Sequence, residues 1–205
     1  MKKTPVIGID FDNTIISYDE SMHRFSVLGN YIEANTKKNK KVIRENIRQL
    51  PDGELKWQKL QSEIYGRNIM QAHPAEGVFQ FINECKKYNY LVYIISHKTE
   101  FSSYDKTVNL RKAALNWMQK NDFFDVYGLN QENLFFEPTR HKKIQRIKEL
   151  NCSHFIDDLE ETFLESLFPE NVKKLLYAPG LKSTSVPNVT LMNSWSKIVE
   201  YFFRV

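Results

Sequence analysis

The stretch Pro5-Val6-Ile7-Gly8-Ile9-Asp10-Phe11-Asp12-Asn13-Thr14 decides the fold. Its first five residues form a nearly continuous apolar run with β-branched side chains, and the run stops abruptly at Asp10. A short run of that kind reads as a strand buried on both faces. Three similar runs follow: Leu91-Val92-Tyr93-Ile94-Ile95 ending at Ser96, His154-Phe155-Ile156 ending at Asp157, and residues 172–177 with two lysines inside. Val189-Thr190-Leu191-Met192 is a weaker fifth. Strands without in/out alternation lose water on both faces, as a parallel sheet covered by helices requires.

Helical patterns lie between these runs. Val78, Phe81, Ile82 and Cys85 repeat at helical spacing, as do Leu110, Ala113, Ala114, Trp117 and Met118. Ile144, Ile147 and Leu150 form a third set, and Ile198, Val199, Phe202 and Phe203 a fourth, with Ser194 placed to cap it. Strand and helix therefore alternate from residue 74 onward, which predicts a doubly wound α/β sheet with right-handed crossovers. Residues 18–72 break the rhythm. They offer no convincing strand, carry Lys37, Lys38, Lys40, Lys41, Arg44 and Arg48 close together, and contain the turn signal Pro51-Asp52-Gly53 between helical stretches near 38–50 and 54–66. The expected organisation is a core of residues 1–17 and 73–205 with a small helical insertion at 18–72.

Composition bounds the function classes. With 205 residues, 41% hydrophobic and 26% charged, the chain is sized for one principal domain plus an accessory lobe. A net charge of +4 is too mild to imply nucleic-acid binding by itself. Cys85 and Cys152 fit no zinc or redox spacing and are too few for a disulfide scaffold, so a cytoplasmic location is expected. The basic Met1-Lys2-Lys3 precedes an apolar stretch too short for a signal-peptide core, and no run approaches the roughly 20 residues of a membrane span.

In open α/β sheets the functional crevice lies outside the carboxyl ends of the strands. The residues that end the apolar runs form a coherent set there: Asp10 to Thr14, then Ser96-His97-Lys98, then Asp157-Asp158. Two carboxylates about 4 Å apart repel by roughly 4 kcal/mol at an effective dielectric near 20. Protonation or a bound cation must relieve such a cluster, and oxygen-only ligands favour magnesium over zinc or copper. An EF-hand fails on spacing, because Ile15 and Ser21 stand where its glycine and glutamate belong. The seven glycines form neither a dinucleotide fingerprint nor a P-loop.

The combination of Asp10-Phe11-Asp12-Asn13-Thr14 after one strand, Ser96 after another, a lysine opening a helix, and Phe155-Ile156-Asp157-Asp158 resembles the haloacid dehalogenase (HAD) superfamily. The motifs occur in that family's order across residues 5–158, and the tracts around Ser96 and from Thr139 to Leu159 resemble uncharacterised bacterial hydrolase-like members. The resemblance implies a Rossmann-like core, with 18–72 as a mobile cap over the site. It also implies Asp10 as the nucleophile that becomes an aspartyl-phosphate, Asp12 as general acid/base, Ser96 as a donor to a phosphoryl oxygen, and a lysine that offsets charge. Lys143 fits that lysine best, with Lys142 as the alternative. Mg2+ would be held by the Asp10 side chain, the Asp12 backbone carbonyl and the Asp157-Asp158 pair, with Asp158 favoured as the direct ligand. Haloacid dehalogenases lack the second acid and the metal, so Asp12 favours phosphoryl over halide chemistry.

The reaction so implied is Mg2+-dependent hydrolysis of a phosphomonoester, with a small phosphorylated metabolite as substrate. Two rivals remain: a catalytically silent binding protein on the same fold, and a nucleotide or nucleic-acid end phosphatase suggested by the basic cluster at 37–48. A solvated helix face explains that cluster more simply, and a nucleic-acid or membrane partner is not expected. His97 and Lys98 are candidates for substrate contact beside the phosphate position. Tyr18, His23, Arg24, Tyr65 and Arg67 are weaker candidates from the cap, and Glu161 could support the acidic pair.

Overall fold

The structure is a computed structural model that describes residues 4–203; Met1-Lys2-Lys3 lies outside the described residues. The chain divides into two compact units: one runs through Ile15 and takes in Pro74–Lys98 and the chain from Asp122 onward; the other comprises Ile16–His73 and Thr99–Asn121.

The first unit is built on six strands: β1 (Val6–Ile9), β2 (Leu91–His97), β3 (Leu134–Glu137), β4 (His154–Asp157), β5 (Lys173–Tyr177) and β6 (Val189–Met192). They lie in the order β3-β2-β1-β4-β5-β6, and every neighbouring pair is parallel. The chain thus starts at the centre, winds outward on one side, then returns to wind outward on the other, the doubly wound arrangement with its switch point beside β1. The apolar runs form these strands because both sheet faces are covered. Ile7, Ile9, Ile95, Phe155, Ile156, Leu175 and Leu176 are all fully buried. Gly8 is required at the sheet centre: a Cβ there would stand 2.6 Å from Cδ2 of Phe155.

Strand β3, with the apolar residues Leu134-Phe135-Phe136 before Glu137-Pro138, is not among the runs singled out from the sequence. It forms because its residues pair in register with β2, Ile94 opposite Leu134 through His97 opposite Glu137. The helices of this unit are α4 (Val78–Lys87), α6 (Arg140–Glu149), the short α7 (Glu160–Leu164) and α8 (Trp195–Phe203). Local chemistry starts two of them. Thr139 Oγ1 accepts from the Lys142 N–H at 3.2 Å, and Ser194 Oγ accepts from the Lys197 N–H at 3.2 Å. Helix α8 packs on α4 through Phe81 and Trp195, whose ring centroids are 5.1 Å apart.

The second unit contains α1 (Asp19–Leu28), α2 (Lys40–Arg48), α3 (Gly53–Ser62), a π-helical turn at Glu63–Arg67 and α5 (Leu110–Lys120). Its core gathers Met22, Ile43, Ile47, Trp57, Leu60 and Ile64. The cap expected at 18–72 makes up most of this unit, and residues 99–121, expected in the core, group with it. Amphipathic spacing marked α5 as half-buried without saying against what. Its Trp117 donates from Nε1 to the Ala72 carbonyl at 3.0 Å, and α5 packs on the π-helical turn. Gly66 of that turn allows Val108 in so closely that a Cβ would lie 2.2 Å from Val108 Cγ1. No described helix is long and apolar enough to cross a membrane.

Candidate active site at the carboxyl ends of the central strands

Register brings the acids together. Ile9 stands opposite Ile156, so the next residues, Asp10 and Asp157, leave adjacent strands side by side, and the Asp10 N–H donates to the Ile156 carbonyl at 2.8 Å. Ile9 also stands opposite Ile94 of β2, which carries Ser96 to the same edge. Ser96 and Asp10 are buried, and Asp157 is fully so. After Asp10 the chain turns: Asn13 adopts a left-handed φ of 59°, and the Ile15 N–H returns to the Phe11 carbonyl at 3.1 Å. Among the described residues the buried Thr14 Oγ1 and Asn13 Nδ2 have no hydrogen-bond partner.

Lys143 sits inside this cluster. Its Nζ lies 2.6 Å from Asp10 Oδ1 and 2.6 Å from Asp157 Oδ2, and the residue is 2% exposed. Helix α6 places it: Lys143, Ile144 and Ile147 share the buried side. Lys142, the alternative, is exposed and donates to its own helix neighbour Gln145 at 3.0 Å. Burial, opposed by Lys143 and reinforced by the Asp157 and Asp12 carboxylates, pushes the Asp10 carboxyl up to about 6. Burial by itself would favour neutral Lys143, but Asp10 and Asp157 hold its ammonium above the usual lysine range.

Asp10, Asp157 and Asp158 each offer one carboxylate oxygen, and these atoms lie within 4.8 Å of one another. An all-oxygen set of that reach suits a hard divalent cation such as Mg2+, so the residues present fit the metal implied by the motifs. Asp157 is also committed within the protein, since its Oδ1 accepts from the Leu159 N–H at 2.9 Å while Oδ2 accepts from Lys143. Asp158 is only half-buried. The Asp12 carboxylate turns instead to Lys98, whose Nζ lies 3.0 Å from Oδ1 and 2.8 Å from Oδ2.

His97 is exposed beside this pair, and Glu161 is exposed on α7, outside the acidic trio. In the second unit Tyr18 and Tyr65 pack on each other with ring centroids 4.6 Å apart, which makes them core residues there. Arg67 pairs with Glu63 and Asp105, and Arg24 lies over the Phe25 ring. The basic cluster is in part an ion-paired face, with Lys38 bound to Glu20 and Arg48 to Glu54. The pairing of Lys98 with Asp12 was available to sequence only as spacing. Lys98 stands two residues past Ser96, as Asp12 stands two past Asp10, and both lie just beyond the carboxyl ends of adjacent parallel strands.

The chain shares its α/β fold with solved structures described as HAD-like hydrolases. A haloacid dehalogenase-like hydrolase from Streptococcus pneumoniae superposes with a TM-score of 0.64 at 15% identity, covering 98% of this chain and 100% of that one. A HAD family hydrolase from Deinococcus radiodurans, with bound phosphate and sodium, matches at TM-score 0.62 and 10% identity over 98% of this chain and 96% of that one. A structure described as a dehalogenase matches at TM-score 0.56 and 10% identity, covering 98% of each chain. No protein-family model and no curated protein sequence matches the chain. At these identities the likeness establishes the fold alone.

Proposed function

We propose that this protein is a Mg2+-dependent phosphomonoester hydrolase that works through an aspartyl-phosphate on Asp10. One observation carries the reading: a nucleophile candidate, a buried ammonium and a divalent-cation ligand set share the Asp10 carboxyl, while a second acid stands two residues away. Superposition on both a phosphate-bound hydrolase and a dehalogenase leaves the chemistry to these residues. Asp12 supports phosphoryl transfer, because halide departs without a proton whereas an alkoxide leaving group needs one.

The residues divide the work as follows. Asp10 attacks phosphorus. Lys143 holds the Asp10 and Asp157 carboxylates in place and offsets charge on the transferring group. Ser96 donates to a phosphoryl oxygen. Asp12 protonates the leaving oxygen and then takes the proton of the water that hydrolyses the aspartyl-phosphate. Asp10, Asp158 and Asp157, with the Asp12 backbone carbonyl, would hold Mg2+, which would supply Lewis-acid charge neutralisation. The substrate in this reading is a small phosphorylated metabolite, the location cytoplasmic, and neither nucleic acid nor membrane is a partner.

Purified protein assayed for Mg2+-dependent phosphate release from p-nitrophenyl phosphate and a panel of sugar phosphates and nucleotides tests this. Asp10→Asn is expected to lower kcat by at least about a thousandfold, as loss of a covalent nucleophile does. Equal rates for the two proteins would overturn the mechanism.

A further inference from the structure

The proposed machinery leaves one buried cation without a task. Lys98 follows the last residue of β2, and its backbone N–H donates to the Glu137 carbonyl at 2.9 Å, which anchors the chain at that point. Its side chain is 2% exposed, while that of Asp12 is 20% exposed. The ammonium lies 5.3 Å from the centroid of the Phe11 ring and within 3.0 Å of both Asp12 carboxylate oxygens. Burying an ammonium is costly unless it is paired, so the site holds Lys98 for a specific contact. The ammonium paired with Asp10 and Asp157 is that of Lys143, not Lys98.

Building on the phosphatase reading, we propose that Lys98 is a positioning residue: it clamps the Asp12 carboxyl where that group meets the leaving oxygen of the substrate. The terminal torsion of an aspartate is broad, so a carboxyl held at one point samples many orientations. Two-point contact from one ammonium removes that freedom. In the step concerned, Asp12 first takes a proton from solvent water on one oxygen while Lys98 keeps the other; the bond from Asp10 Oδ to phosphorus then forms, the bond from phosphorus to the leaving oxygen breaks, and that proton passes to the leaving oxygen. Proton transfer needs heavy atoms about 2.6 to 3.2 Å apart, and a misplacement of about 1 Å costs on the order of a hundredfold. The exposed edge of Asp12 is the side from which a leaving group can approach.

The test compares leaving groups. A p-nitrophenolate departs readily without a proton, whereas an alkoxide does not, so kcat/KM is measured for p-nitrophenyl phosphate and for the alkyl phosphate that the wild type hydrolyses fastest. For Lys98→Met, the loss on the alkyl ester is expected to exceed the loss on the aryl ester by about tenfold or more, and Lys98→Arg to recover most of it. Lys98→Gln, which keeps a donor and removes the charge, carries the same comparison if Lys98→Met does not fold. Parallel losses on both esters, or none, would overturn the positioning role while leaving the phosphatase reading intact. A wild type that releases phosphate from neither ester overturns both. Release from the aryl ester alone overturns the positioning role, because Asp12 then serves no leaving oxygen.

Discussion

Lys142 and Lys143 are neighbours in the chain whose ammonium groups occupy different media. Lys143 is 2% exposed and bridges Asp10 and Asp157, whereas Lys142 donates to Gln145 on the exposed face of its helix. A rotation of about 100° per residue separates the two directions, and the burial of Ile144 and Ile147 decides which lysine faces inward. Opening the helix from Thr139 sets that phase.

The first prediction contrasts these neighbours. Lys143→Met leaves two buried carboxylates without their shared cation and is expected to cost about 3 to 5 kcal/mol of stability along with activity. Lys142→Ala should stay within about 0.5 kcal/mol and retain turnover. Urea unfolding of both variants beside the wild type measures the difference; similar midpoints would mean that the bridge is not formed in solution.

Proton and metal compete for Asp10. With its carboxyl pushed up to about 6, Asp10 is increasingly protonated as pH falls through that value, and a neutral carboxyl is a poor cation ligand. Mg2+ affinity by titration calorimetry is expected to be steady near pH 7.5 and to fall by about tenfold per pH unit below 6. Asp10→Asn should bind weakly and without that slope. A flat profile in the wild type would remove Asp10 from the ligand set.

His154 makes stability itself pH-dependent. Burial, helped by Lys173, lowers its pKa to about 4, while Ser153 Oγ lies 2.9 Å from Nδ1 and Phe202 packs against the ring. The unfolded chain takes the proton first, so stability present at neutral pH is lost as pH falls from the ordinary histidine range through about 4. Allowing for partial exposure, the loss is about 1 to 2 kcal/mol. His154→Phe should narrow the gap between unfolding midpoints at pH 7 and pH 4.5; an unchanged gap would assign the loss to other groups.

Gly8→Ala probes the sheet centre. The added methyl would meet the buried Phe155 ring at 2.6 Å, too close for either to stay put, and is expected to cost about 1 to 3 kcal/mol. A thermal midpoint equal to that of the wild type would show that the ring moves aside freely.

Much of the fold is legible in the chain because its signals are local. Apolar runs that lack alternation mark four of the strands clearly and β6 more weakly, and the hydroxyl cap at Ser194 marks one helix start. Strand β3 is missed because a short apolar run does not by itself separate strand from loop or helix, and its pairing with β2 decides it. The grouping of α5 with the second unit is likewise invisible, because an amphipathic period shows that a helix has a buried face and nothing of what covers it.

The same division holds at the site. Residue type and strand-end position suffice to nominate Asp10, Asp12, Ser96, Asp157 and Asp158, because the ends of adjacent parallel strands must meet at one edge. Helical phase, register and burial belong to tertiary structure, and they settled three things: Lys143 enters the cluster, Asp157 is doubly committed within it, and Lys98 grips Asp12. Charges far apart in sequence interact strongly only once packing removes the water between them, and no local pattern records where that happens.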